Sequence, residues 1–391
     1  MAANPNLPLL DVPIGDYGAD EAALQRYREE GTQRALTLGN RGPVRYTHDG
    51  KVHPEILEAY DRCGFYILEG VLGPEECEDI ERDLADMLER CPVEKGGPVD
   101  AQGRPALGAD CAGRTLSWVK PLSDPLGGTD ANYGRHPAKM IEPEVPDGAP
   151  TQIVQTILGS LQFSEACLRA YGHPDLLAVA AAINDEDFTP FNEAVWIKHP
   201  GLGGSVAWHQ DGWTHWSSPE LDNHTHGFNF MAQLYGCNAA NGLWVVPGSH
   251  RNGKADIKAM VESAGSERLP DAVPFICAPG DVAITNRQAI HGSFANTSPD
   301  VRVTINMGFH RRRSVLGVRS GGVHNPISVY DDDYIEARSR LIMYAINARQ
   351  ARFPEETPYR YAPFAGREDE YAWGPHVMGS LKDYNLQDLG I

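Results

Sequence analysis

The segment Trp208-His209-Gln210-Asp211-Gly212 holds a His-x-Asp pair. On an extended segment, residues i and i+2 point to the same face, so an imidazole and a carboxylate converge there. His291 follows a second strand-like run later in the chain. Two histidines and one carboxylate on one face of an octahedron leave three positions open, the donor set of non-haem Fe(II) oxygenases. Strand ends and loops also produce His-x-Asp by chance, so the pair alone decides nothing. The segment after His291 adds to it. In Val301-Arg302-Val303-Thr304-Ile305-Asn306-Met307 the odd-numbered residues are apolar and should pack against covering helices. Arg302, Thr304 and Asn306 then share the opposite face, toward an interior. An arginine there is costly without a partner. Its planar fork suits bidentate capture of a ligand carboxylate. A structural salt bridge with Asp or Glu is the other reading. Eleven residues beyond a candidate metal histidine, the ligand reading leads.

These residues need elements to position them. Gly64-Phe65-Tyr66-Ile67-Leu68-Glu69 predicts a strand. Gly73-Pro74 opens a helix, with Glu75 and Glu76 in its first turn and Cys77, Ile80, Leu84, Met87 and Leu88 at helical spacing. Ile153, Ile157, Leu158, Leu161 and Leu168 predict a second helix over 151–171, ended by Gly172 and Pro174. From about residue 190 the period shortens to two. Residues 191–198, 228–237, 243–246, 281–285 and 301–309 read as strands, and Asn241-Gly242 as a hairpin turn. Residues 334–352 read as a helix. With 40 Gly and 29 Pro a helical bundle is disfavoured, and short strands between turns predict a mainly β barrel clothed by helices. Residues 1–50 are expected to form an N-terminal arm. Residues 51–391 are expected to form a single domain with a helical N-terminal layer and a C-terminal helical extension. Residues 92–150, rich in Gly and Pro, are expected to be an irregular lid.

The balance of 34 Lys+Arg against 53 Asp+Glu, a net charge of −19, argues against nucleic acid as a partner and against an anionic membrane surface. No apolar run approaches the ~18 residues of a membrane span. Residues 1–30 do not resemble a secretory signal. Seven scattered Cys without a Cys-x-x-Cys pair imply reduced thiols in a cytoplasmic protein. Arg311-Arg312-Arg313 is expected to pair with the excess acids. The same run is the best argument for a polyanionic tail such as coenzyme A, yet the charge balance favours a free small molecule as substrate.

Taken together, the blocks resemble the phytanoyl-CoA dioxygenase family of Fe(II)/2-oxoglutarate oxygenases over about residues 55–312. Ala59-Tyr60-Asp61-Arg62-Cys63-Gly64-Phe65-Tyr66 is similar to the family's N-terminal block. Lys198-His199-Pro200-Gly201 before His209-Gln210-Asp211, then Asn241-Gly242-Leu243-Trp244-Val245-Val246-Pro247-Gly248-Ser249-His250, follow in the family's order. Pro279-Gly280-Asp281 and His291-Gly292-Ser293 complete it. The resemblance implies a double-stranded β-helix, a jelly-roll or cupin-like barrel. It implies His209, Asp211 and His291 as catalytic metal ligands for Fe(II). It implies Arg302, with Ser293 beside it, as the site for the distal carboxylate of the cosubstrate 2-oxoglutarate, and Asn192 as an amide close to that cosubstrate. O2 would be the second cosubstrate, and succinate and CO2 the by-products. Related halogenases carry Gly or Ala at the carboxylate position, so Asp211 implies oxygenation, with hydroxylation of an unactivated C–H bond as the expected outcome.

Other residues have weaker claims. Trp213 could line a pocket wall or pack a core or lid. His215 could reach substrate or sit in a solvated loop. Met231, Gln233 and Tyr235 share a face of one strand and become substrate contacts if the face of Arg302 lines the pocket. His199, His250 and His310 are expected to be structural. Two competing functions remain. A non-redox cupin-like metal-dependent isomerase or small-molecule binding protein would keep the His/Asp cluster without needing Arg302. A catalytically dead scaffold would have lost a ligand, and none is lost.

Overall fold

The computed structural model describes residues 7–9, 12–321, 325–374 and 376–391. Two sheets organise them. The larger has eight strands in the order Arg41–Gly42, Phe65–Leu68, Val282–Asn286, Phe228–Gln233, Arg302–Arg311, Phe188–Lys198, Ile153–Leu158 and Leu116–Val119. Its neighbours are antiparallel except the first pair. The smaller is antiparallel, in the order Val206–His209, His291–Ser293, Trp244–Val245 and Val273–Pro274. From Phe188 onward the chain passes repeatedly between the sheets. Strands distant in sequence therefore become neighbours.

The central strand Arg302–Arg311 shows why. Val303, Ile305, Met307 and Phe309 join the helix-side core with Ile197, Phe228, Ile284, Leu341 and Ile342. Arg302, Thr304 and Asn306 take the opposite face, as their spacing predicts. A second apolar cluster joins Phe65, Ile67 and Ala283 of the large sheet to Val245 and Val273 of the small one, so the sheets face each other. The outer side of the small sheet is covered by the helix Glu21–Thr37, whose Leu24 and Tyr27 pack with Trp208, Trp244 and Phe294. Tyr27 stacks on Trp244 at 4.4 Å. Gly31 makes the approach possible, since a Cβ there would come within 2.6 Å of the Trp244 ring. Much of the expected arm is thus a packed helix. Helical residues outnumber strand residues, so the description "mainly β" understates the helical cover.

Two expectations fail locally. Residues 151–171 are not one helix. Ile153–Leu158 is a strand between two others, followed by a helix over Glu165–Tyr171. β-Branched Ile153, Val154, Thr156 and Ile157 favour the strand, and burial on both faces erases any period of two. Asn241-Gly242 does not close a hairpin either. Asn241 Oδ1 accepts from the Asn238 N–H at 3.0 Å, and the turn carries the chain from the large sheet to the small one. The helices Pro74–Glu89 and Asp332–Arg352 form where expected.

Candidate metal centre

His209 ends one small-sheet strand, and His291 begins the next. They are direct partners across the antiparallel ladder. Their rings lie 4.1 Å apart between centroids. Asp211 follows two residues after His209, its N–H donating to the Arg287 carbonyl at 2.8 Å. One donor atom from each of His209, Asp211 and His291 lies within 4.8 Å of the other two. His209 Nε2 is 3.6 Å from Asp211 Oδ1, and His291 Nε2 is 3.9 Å from Asp211 Oδ2. The Nδ1 atoms are held by backbone carbonyls, Ala207 at 2.8 Å and Ala289 at 2.9 Å. A carbonyl accepts only, so each Nδ1 carries the proton and each Nε2 presents a lone pair. Three deprotonated donors with fixed orientation fit a divalent metal.

Charge supports the same reading. Burial pushes the Asp211 carboxyl up, but Arg287, His291, His209 and Arg135 outweigh it and hold the group well below the usual carboxylate range. Arg287 Nε lies 3.5 Å from Asp211 Oδ2, and Asn229 Nδ2 donates toward the same oxygen at 3.4 Å. Arg287 is itself fixed. It donates to the His226 carbonyl and to His310 Nε2, and lies 4.0 Å over the Phe191 ring. Burial, with His291 and His136 beside it, lowers His209 far below the ordinary histidine value, so it stays neutral. Gly212 turns the chain at φ 86°, where a Cβ would meet His226 Nδ1 at 1.8 Å.

Arg302 is buried on the facing sheet. Its Nη1 donates to the Asn241 carbonyl at 3.0 Å, and its Nε has no partner. Among the described residues no acid pairs with it, which removes the salt-bridge reading. Lys198, its cross-strand partner, is also buried, and burial and Arg302 hold its ammonium well below the ordinary lysine value. Lys198 Nζ donates to the Phe294 carbonyl, so the buried Arg302 guanidinium is the charge left to meet an anion. Ser293 shares the strand of His291 and is buried. Asn192 Oδ1 is buried without a partner. It meets Asn229 over Gly308, where a Cβ would lie 2.9 Å from Asn229 Oδ1 and 3.1 Å from Asn192 Oδ1.

The weaker candidates separate. Met231 packs in the cluster between the sheets. Gln233 Oε1 accepts from Thr304 at 3.0 Å, beside the Arg302 face. Tyr235 does not share that face. It packs on the helix-side core, with its hydroxyl 3.1 Å from Glu81, because the strand ends at Gln233 and the alternation ends with it. His215 is a buried tie between Thr214 and the Ser314 carbonyl, not a solvated loop residue. Trp213 stacks on Tyr133 at 4.0 Å. His199 and His250 bond backbone carbonyls, at Val154 and Asp61. Arg311, Arg312 and Arg313 pair with Asp222, Asp332 and Asp185. Reading the sequence missed Arg287, Asn229, Arg135 and His136. The last two arrive from the irregular region, His136 stacking 4.4 Å from His209. Burial lowers His136 to about 4.

His209, Asp211 and His291 thus form a candidate two-histidine, one-carboxylate metal cluster on the smaller of two facing sheets. The profile of the family Phytanoyl-CoA dioxygenase (PhyH) matches residues 60–304, and the chain belongs to this family, whose members use Fe(II), 2-oxoglutarate and O2. The chain is 30% identical over 119 residues to Phytanoyl-CoA dioxygenase 1 of Oryza sativa subsp. japonica, 28% of this chain and 41% of that protein. It is 23% identical over 260 residues to Phytanoyl-CoA dioxygenase domain-containing protein 1 of Danio rerio, 60% of this chain and 82% of that one. Among solved structures it is similar to EctD from S. alaskensis with 2-oxoglutarate and 5-hydroxyectoine. That likeness has TM-score 0.47 and 20% identity, over 70% of this chain and 83% of that one. It is also similar to the non-heme alpha ketoglutarate dependent epimerase SnoN, at TM-score 0.42 and 16% identity over 66% and 82%. No helix among the described residues is long and apolar enough to cross a membrane.

Proposed function

We propose that the chain is an Fe(II)- and 2-oxoglutarate-dependent dioxygenase that hydroxylates an unactivated C–H bond of a small molecule. The two sheets are read as the walls of a double-stranded β-helix. The observation that carries the proposal is the convergence of two proton-free Nε2 atoms and one carboxylate, opposite a buried arginine that has no acid partner among the described residues. His209, Asp211 and His291 hold the metal. Bound there, Fe(II) with 2-oxoglutarate and O2 supplies the oxidising chemistry, with succinate and CO2 released. The protein orients and excludes water. The Ala207 and Ala289 carbonyls fix the imidazole tautomers. Arg287 and Asn229 aim the Asp211 carboxylate. Arg302, with Ser293 and Asn192, receives the cosubstrate, its guanidinium matching the distal carboxylate. Asp211 fills the position a halide would need, so oxygen insertion rather than halogenation is assigned. The seven free cysteines accord with a reducing compartment such as the cytoplasm.

The test is an anaerobic visible spectrum of the Fe(II)-loaded protein before and after 2-oxoglutarate. A new weak band is expected, and Arg302→Ala should lose cosubstrate affinity while keeping iron. Iron binding without any band would overturn the oxygenase assignment in favour of a non-redox cupin-like metalloprotein.

A further inference from the structure

The irregular region brings a second arginine to Asp211. Arg135 Nη1 lies 3.2 Å from Asp211 Oδ1, while its Nε is buried without a partner. One corner of the guanidinium fork is used, and the Nε–H still lacks an acceptor. Arg287, on the other oxygen, is locked under Phe191 and bonded to His226 and His310. Arg135 follows a strained turn instead. Asn132 and Tyr133 sit at φ 51° and 62°, a region costly for residues with side chains. Such backbone gathers at ligand clamps.

The charges do not balance. Two arginines face one carboxylate, and among the described residues the charges acting on Arg287 are Asp211 and Arg135, with no second acid. A divalent metal at Asp211 enlarges the positive excess and repels Arg135 from the carboxylate it touches. 2-Oxoglutarate does not cancel this, because one of its carboxylates is matched by Arg302 and the other by the metal. An anion from outside is required. Its neighbourhood is aromatic. Tyr133, two residues before Arg135, stacks on Trp213, two residues after Asp211, with rings 7° from parallel. Tyr133 remains 59% exposed, so the pair presents an open aromatic face within two residues of Arg135 and of Asp211 along the chain.

Building on the oxygenase reading, we propose that Arg135 anchors a carboxylate of the substrate, a small ring-bearing acid whose ring lies against the Tyr133–Trp213 pair. The bond to Asp211 is then the substrate-free contact. A carboxylate fits better than a phosphate ester, because a single guanidinium supplies one charge and already meets a carboxylate here.

Binding is measured anaerobically by calorimetry on protein loaded with Fe(II) and 2-oxoglutarate. The probes are matched pairs: benzoate and benzamide, cinnamate and cinnamamide, indole-3-acetate and indole-3-acetamide. At least one acid should bind about tenfold more tightly than its amide. Arg135→Gln should erase this preference and Arg135→Lys should retain part of it, with both variants holding 2-oxoglutarate as the parent does. Trp213→Ala should weaken acid and amide alike. If no acid outbinds its amide in the parent, or the preference survives Arg135→Gln, the anchor is wrong. If Trp213→Ala changes neither, the ring wall is wrong. Failure of the oxygenase reading looks different: 2-oxoglutarate then does not bind the Fe(II)-loaded parent. In that case the same pairs are measured on the Fe(II)-loaded protein alone, where loss of the acid preference in Arg135→Gln still supports the anchor and its survival still overturns it.

Discussion

Glu193 is a buried carboxylate and Asp211 a largely enclosed one, and their surroundings drive them in opposite directions. Asp211 is ringed by Arg287, Arg135 and two imidazoles, and it stays charged despite burial. Glu193 lies on the helix side of the strand Phe188–Lys198 and is ringed by hydroxyls. Ser160 donates to its Oε2 at 2.5 Å, and the Tyr384 hydroxyl donates to its Oε1. The nearest guanidinium, Arg338, is already committed to Asp388 at 2.9 Å. Burial therefore wins and lifts Glu193 to about 7. Depth alone does not separate a metal ligand from a structural acid. The sign and freedom of the neighbouring charges does.

The largest expected effect comes from removing the charged member. Asp211→Ala deletes the only anionic protein ligand of the cluster, and 2-oxoglutarate turnover, followed as succinate release, should be abolished. Full turnover in that variant would refute the triad.

This half of the comparison was legible in the sequence for a local reason. The spacing of His209 and Asp211 fixes a shared face, and the alternation of Val301–Met307 fixes where Arg302 points. Neither depends on distant chain. The arginines that hold Asp211 were not legible. Arg287 lies between two strands, and its burial is decided by Phe191, His226 and His310, which reach it from other strands and loops. Arg135 lies in a Gly- and Pro-rich stretch without periodicity. Glu193 reads as one acid in an apolar strand, and its hydroxyl partners come from residues 160 and 384. The strand Ile153–Leu158 was misread because a strand buried on both faces keeps no period of two.

The next effect tests whether freeing a cation makes Glu193 resemble Asp211. Arg338 and Asp388 have side chains 0% and 2% exposed, and breaking such a pair leaves a buried charge uncompensated. Asp388→Asn should destabilise the fold by about 3–5 kcal/mol in urea unfolding. The released Arg338 should also pull the Glu193 carboxyl down. An unchanged Glu193 titration, followed by carbon-detected NMR, would mean that burial alone, and not the absent charge, sets its value.

A smaller loss is expected on the metal side. Arg287→Ala leaves all three ligands in place but removes the fixed cation beside Asp211. Supporting groups of this kind typically contribute about 10–100-fold in metal affinity. Fe(II) or Co(II) titration should show a loss in that range. No loss would leave Asn229 as a sufficient support.

The last effect is a slope rather than a loss. Glu193 has an ordinary value of 4.5 and a folded value of about 7. Between those values the folded chain holds one proton more than the unfolded chain. Unfolding free energy must then fall as pH rises from about 4.5 to about 7, and the penalty is constant above that. Glu193→Gln keeps the shape and removes the ionisation. Its stability, subtracted from that of the parent at each pH, should reproduce this falling segment. A flat difference would mean that Glu193 is ionised in the fold. Its hydroxyl cage would then serve a buried anion as effectively as the cations around Asp211 do, and the contrast between the two carboxylates would rest on position alone.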